Sequence, residues 1–211
     1  MSLRGHRTPG AKGFTLVELL IAVAVLAVLA MLAAPSFRDL ILMQRMKAIH
    51  AQLVTDLQYA RSEAVSSGAV VNVRVQQAFP GVPNTCYIIF QDFSRNYLID
   101  GPSAACNCQG AAVNRCPPTN TSLRELRTVE VPLNSGVSLV LPAGQTREEV
   151  AFDPKTGGMV LRANELGAGT GAAFVTTVAI DEARSLSAVV GISGRPRTCR
   201  PAGSTLPDPS C

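Results

Sequence analysis

Residues 14–34, FTLVELLIAVAVLAVLAMLAA, form one apolar run whose only charge is a carboxylate near its start, Glu18. A helix needs about 20 apolar residues to cross the hydrocarbon core of a bilayer, and these 21 residues supply them. This predicts that part of the chain meets lipid rather than water. An acidic side chain at the centre of a membrane helix costs about 2.5–3.5 kcal/mol on insertion scales, and less near the interface. A charge kept at such a position marks a function and requires a partner.

The preceding residues, MSLRGHRTPGAKG, carry Arg4, Arg7 and Lys12 and no acid. That basic flank predicts a cytoplasmic N-terminus with the rest of the chain exported. A secretory signal would have an apolar region of only about 7–15 residues before its cleavage site. Here the run is longer, and the Gly13–Phe14 junction precedes it. A plain signal anchor accounts for the length but not for Glu18.

The stretch GFTLVELLIAVAVL closely resembles the N-terminal motif of type IV pilins. The resemblance implies that prepilin peptidase removes residues 1–13 by cutting after Gly13 and methylates the new N-terminus at Phe14. It also gives Glu18, the fifth residue of the mature chain, a role in assembly. Cleavage creates an ammonium at Phe14, one helical turn from Glu18. The carboxylate also lies near the positive end of the helix dipole. In a filament core it can pair with a neighbouring subunit's N-terminal ammonium, which offsets its cost in the membrane. The expected sequence of locations is the inner membrane, as a single-pass protein with a periplasmic C-terminal domain, and then a pilus or pseudopilus filament. Residues 14–35 form the membrane and filament-core helix in this reading. Pro35 predicts either a kink or a break between two helices.

Residues 36–67 read as an amphipathic helix. Leu42, Met46, Ile49, Leu53, Leu57, Ala60 and Ala64 recur at three- and four-residue spacing, which marks one buried face. Arg45, Lys47, Gln52, Asp56, Arg61 and Glu63 occupy other positions, and the single histidine of the mature chain, His50, is expected on the surface. Unbroken from residue 14 to 66, the helix would be about 80 Å long. Strands are expected at 69–75, 86–93, 126–131, 137–141, 149–153, 159–163, 173–180 and 186–193, each apolar or alternating and bounded by Gly, Pro, Asn or Asp. VAFDPKTGGMVL reads as a hairpin. One long helix followed by strands predicts an α+β fold, with the helix packed on an antiparallel sheet. The expected domain is 36–211, β-rich over 69–199, with a tail at 200–211.

All six cysteines, Cys86, Cys106, Cys108, Cys116, Cys199 and Cys211, follow the apolar run. In an exported domain an even number is read as disulfides. Three of them lie in an irregular loop, residues 101–122, and Cys116 with Cys106 or Cys108 is the simplest pairing. A metal site is disfavoured there, because a fourth ligand and paired C-x-x-C spacing are missing.

The helix and strand order, with LQYARSEAVSSGAVVNVRV and the closing VGISGRPRTC, is similar to the FimT/GspH-like minor pilins and pseudopilins, nearest to FimT. The sequence carries no catalytic constellation, phosphate loop or cofactor motif, so no enzyme and no cofactor is predicted. Removing residues 1–13 leaves 16 Lys+Arg against 15 Asp+Glu, so attraction to a polyanion must come from local clustering. GRPRTCRP supplies such a cluster: Arg195, Arg197 and Arg200 with no acid between them and two prolines stiffening the chain. Alternate residues of an extended segment share a side, so Arg195 and Arg197 can form a two-pronged clamp for phosphate oxygens. FimT-like pilins of DNA uptake carry a Gly-Arg-x-Arg motif that Gly194, Arg195, Pro196 and Arg197 match. The resemblance therefore implies non-specific binding of double-stranded DNA during natural transformation, with Lys155 and Arg200 as further cations. The alternative is a structural pseudopilin of a type II secretion system, or a pilus-priming subunit, without DNA affinity. Arginines that merely solvate a strand edge give the same sequence.

Mass spectrometry of the protein from its native cell should show a chain beginning at N-methylated Phe14. Filament material that retains Met1 would contradict the pilin reading.

Overall fold

The computed structural model describes residues 13–78, 82, 84–94, 106–109, 115–116, 122–143, 148–160 and 173–211, and the side chains of 32–36 lie outside that description. The leader, apart from Gly13, lies outside it too. The chain divides into two compact units, Met1–Ile41 and Leu42–Cys211.

Helix α1 is assigned over Leu16–Ser67. The helical backbone continues through position 35, so the alternative of two helices broken at the proline is removed. Its start is capped locally. The Glu18 N–H donates to the Thr15 hydroxyl at 3.2 Å, which makes Thr15 the N-cap and Glu18 the third helical residue, the positions of a capping box. In the first unit the described apolar side chains are open to the surroundings: Leu16 is 75 % exposed and Leu29 56 %. Among the described residues no helix is long and apolar enough to cross a membrane. The apolar run continues into residues 32–34, whose side chains are not described.

In the second unit the predicted stripe is the core-facing side of α1. Met46, Leu53, Leu57, Ala60 and Ala64 are fully buried, with Ile49 packed against them. Two residues depart from expectation. His50 is buried rather than superficial, and its Nε2 has no hydrogen-bond partner. Burial holds its pKa below the usual histidine range, against the opposing effects of a hydrogen bond to the Ser187 backbone and the charge of Asp208. Asp56 is also buried. It accepts from the Tyr87 hydroxyl at 2.6 Å and from the Arg127 guanidinium at 2.7 Å.

Among the described residues eight strands follow: β1 (Val70–Gln76), β2 (Thr85–Asp92), β3 (Leu123–Val131), β4 (Ser138–Val140), β5 (Glu149–Phe152), β6 (Ala173–Ala179), β7 (Ser185–Gly191) and β8 (Pro196–Cys199). They form two sheets, not one, in the orders β3-β2-β1-β5 and β4-β6-β7-β8, antiparallel throughout. Seven strands coincide with predicted ones within a few residues. The strand expected at 159–163 is reduced to a bridge between Met159 and Phe152, and residues 161–163 lie outside the described ones. β8 was read from sequence only as an extended segment.

Alternation decides what each face buries. Val71, Val73 and Val75 of β1, Tyr87 and Ile89 of β2, and Val150 and Phe152 of β5 share one core with the α1 stripe. Phe174, Val178, Leu186, Ala188 and Val190 of the second sheet join the same core. The opposite face of the first sheet buries Ile88 and Phe90 with the cysteine segment. There Cys86 bonds Cys108, and Cys106 bonds Cys116. The third disulfide joins Cys199 to Cys211, and no free cysteine remains. Of the two pairings left open for Cys116, the structure selects Cys106, because Cys108 is taken by β2.

Asp56 ties α1 to β2 and β3 from inside the core. Burial and the neighbouring carboxylate push the Tyr87 phenol well above its usual range, so it stays a hydrogen-bond donor. Tyr87→Phe should destabilise residues 36–211 by about 1.5–3 kcal/mol, the range for a hydrogen bond to a charged group, as read by urea denaturation.

Candidate nucleic-acid interface

Arg195 and Arg197 lie at the end of the β7–β8 hairpin. β8 pairs with β7 in the register Val190↔Pro196, Val189↔Arg197 and Ser187↔Cys199. It is the last strand of its sheet. Both arginines are exposed. Arg197 stands opposite Val189, and Arg195 directly precedes the strand, at the two-residue spacing by which side chains of an extended segment share a side. Among the described residues neither has an acidic partner within ion-pair distance.

Gly194 determines how the hairpin turns. Its N–H donates to Gly191 O at 2.8 Å and its φ is +71°, a left-handed conformation that suits glycine. A side chain there has no space: a Cβ would collide with Gly157 O and sit 3.1 Å from the Gly158 Cα. The glycine of the Gly-Arg-x-Arg pattern is therefore required twice, by its dihedral and by backbone-to-backbone contact with a second turn.

That second turn is the predicted DPKTGG corner. The Asp153 carboxylate accepts from the backbone N–H groups of Lys155 and Thr156 and from the Thr156 hydroxyl, at 2.8–3.0 Å. Slight burial raises the Asp153 pKa, but the bonds from Thr156, the Lys155 N–H and the Lys155 charge outweigh it and leave the group below its usual range. Gly157 closes the turn at φ +65°, and its carbonyl accepts from Arg61 Nε at 2.9 Å. The Met159 N–H donates to Ile192 O at 3.0 Å. One chain of contacts thus runs from α1 through Arg61 and Gly157 to Gly194, and the turn carrying exposed Lys155 packs on the turn that precedes Arg195.

Arg200 goes elsewhere. Its guanidinium donates to Leu206 O at 3.3 Å, and its backbone pairs with the tail through Pro209 O and the Cys211 N–H. It is half-buried, three residues from Arg197 and so on the other side of an alternating strand. The three arginines of the sequence cluster divide into a pair and a single.

Gly13 and Phe14 form the other expected site. Gly13–Thr15 is non-helical, α1 starting at Leu16, and Phe14 is 82 % exposed. The Gly13–Phe14 bond, the expected point of cleavage, therefore lies in exposed, non-helical chain ahead of the helix. Thr15 was missed in the sequence reading, although Thr-x-x-Glu before an apolar run is a legible capping signal. Arg61 lies off the periodic apolar stripe, and nothing in its sequence neighbours points to Gly157.

A long N-terminal helix whose second half packs on antiparallel sheets, headed by a methylation signal, defines a pilin-like protein. Residues 9–34 match the prokaryotic N-terminal methylation motif. Residues 51–194 match the family described as Type II transport protein GspH, and the chain belongs to that family. Membership implies prepilin peptidase processing and association with other pilin subunits, in a membrane-anchored pilus or pseudopilus. Two crystal structures of the type IV minor pilin FimU from Pseudomonas aeruginosa (strain PAO1) are similar. One is 16 % identical with a TM-score of 0.44, covering 73 % of this chain and 87 % of that one. The other is 15 % identical with a TM-score of 0.41, covering 72 % and 90 %. No curated protein matches the chain.

Gly194→Ala should lower stability by at least about 2 kcal/mol, combining left-handed strain with displaced backbone. Gly203 also has a positive φ, +90°, but nothing within 4 Å of an added Cβ. Gly203→Ala should therefore cost only about 1–2 kcal/mol. Thermal unfolding of the two variants compares them directly.

Proposed function

We propose that this pilin-like protein binds double-stranded DNA through Arg195 and Arg197, assisted by Lys155, in DNA uptake during natural transformation. In this reading Gly13 and Phe14 are the processing site, Glu18 serves assembly, and residues 14–35 anchor the precursor in the inner membrane as a single-pass helix before it enters a filament. The observation that carries the reading is the Gly194 corner. It presents two exposed guanidinium groups, with no acidic partner among the described residues, from the start of β8 and the residue before it, and the turn is held by a second, lysine-bearing turn. Guanidinium groups in fixed register suit phosphate oxygens. Contacts confined to phosphate oxygens carry no base information, so no sequence preference is expected.

A second reading is a structural pseudopilin of type II secretion, or a pilus-priming subunit. The family match favours it: the matched residues stop at Gly194, one before Arg195.

Residues 36–211 should bind short duplex DNA with micromolar or weaker affinity and little sequence preference. The salt dependence should have a slope of about −1.8 for two neutralised phosphates, at −0.9 each. Arg195→Gln with Arg197→Gln should fold normally and lose most of this binding in a gel-shift titration. Equal binding by the double variant, or none by the wild type at low salt, would favour the secretion reading.

A further inference from the structure

We propose that the disulfide-closed tail, residues 199–211, is the positioning device of the arginine clamp, and that Arg200 serves this tail rather than DNA. The inference rests on the phosphate-binding reading above. β8 is four residues long and, among the described strands, has β7 as its one neighbour. Short edge segments held on one side open at little free-energy cost.

Here the far end of β8 is fastened several times. Cys199, the last residue of β8, is bonded to Cys211. The Arg200 N–H donates to Pro209 O at 2.8 Å and the Cys211 N–H to Arg200 O at 3.0 Å, which forms a parallel bridge between Arg200 and Ser210. The Arg200 guanidinium holds Leu206 O.

The tail is anchored in turn. Leu206 belongs to the main core, the Ser204 hydroxyl donates to Ser185 O at 2.8 Å, and the Thr205 N–H donates to Ala183 O at 2.8 Å. Ser185 is the first residue of β7 and Ala183 lies in the bend just before it, beside the end of β8 in the antiparallel register, where Ser187 pairs with Cys199. The tail therefore straps the end of β8 to the strand on which it pairs, two residues from Arg197 and on the side opposite the Gly194 lock. Preorganisation of this kind raises affinity by removing the ordering cost from the binding step. The clamp would be competent in the oxidised, exported protein and impaired in a form that cannot close the Cys199–Cys211 bond.

The test uses the full-length protein in detergent, titrated with a short DNA duplex at low salt, with backbone hydrogen exchange measured in parallel. Cys199→Ser with Cys211→Ser should weaken binding about tenfold, the factor for ordering roughly one backbone residue. The salt slope should not change, and exchange protection should fall at Arg197 and Thr198 but not in β1 and β2. Equal affinity, or weaker binding with β8 still protected, overturns the proposal. Should β1 and β2 also lose protection, Arg200→Gln decides: an unchanged salt slope supports the tail role, and a slope shallower by about 0.9 makes Arg200 a phosphate ligand and overturns it. Absence of binding by the wild type defeats the phosphate reading itself. The strap is then judged by exchange alone, and unaltered β8 protection in the double-serine variant overturns it.

Discussion

The apolar stripe of α1 is the constraint on which the globular unit depends. Met46, Leu53, Leu57, Ala60 and Ala64 run along one side of the helix and have to be covered. Both four-stranded sheets contribute inward-facing residues to that core, so neither is assembled independently of the helix. A hydroxyl also crosses between them: the Leu139 N–H donates to Thr85 Oγ1 at 3.0 Å. The alanines at the C-terminal end of the stripe leave room for close approach, and the Asp56 carboxylate, satisfied by Tyr87 and Arg127, lies inside the same seam. Burying a carboxylate is tolerable when its oxygens are hydrogen-bonded and a cation is near.

The same helix reaches the candidate site by a different route. Arg61 holds the Gly157 carbonyl, and Gly194 fits against that carbonyl because it has no side chain. The direction in which Arg195 leaves the hairpin is therefore set by backbone contact between two turns, remote in sequence, rather than by any partner of the arginine itself. This is the arrangement the proposed phosphate clamp requires: backbone held by contact, exposed charged ends and no competing carboxylate among the described neighbours. It also explains why a surface motif can demand a glycine as strictly as a core demands an apolar residue.

Membership of the GspH family and the methylation motif account for the N-terminal half of the chain and for most of the sheets. The clamp and the tail lie past the matched residues, where β8 is added to the edge of the second sheet and closed by Cys199–Cys211. Edge strands are where pilin-like domains can differ without disturbing a core, since one side of the strand makes no ladder. The residues on which the proposed DNA binding rests are thus concentrated after Gly194, past the matched stretch.

The local signals of the chain were legible without any structure. Periodicity marked the buried face of α1, alternation placed seven of the eight described strands, and the Gly-Phe-Thr-Leu-Val-Glu stretch marked the methylation motif, because each depends on neighbours within a few residues. Tertiary structure alone decided three things. It split the strands into two sheets, a matter of pairing between distant segments. It buried His50 and Asp56, which occupy polar-looking helix positions but face β-strands that periodicity cannot locate. It also separated Arg200 from Arg195 and Arg197, since only the folded tail, with its disulfide and its carbonyl at Leu206, supplies the third arginine with a partner.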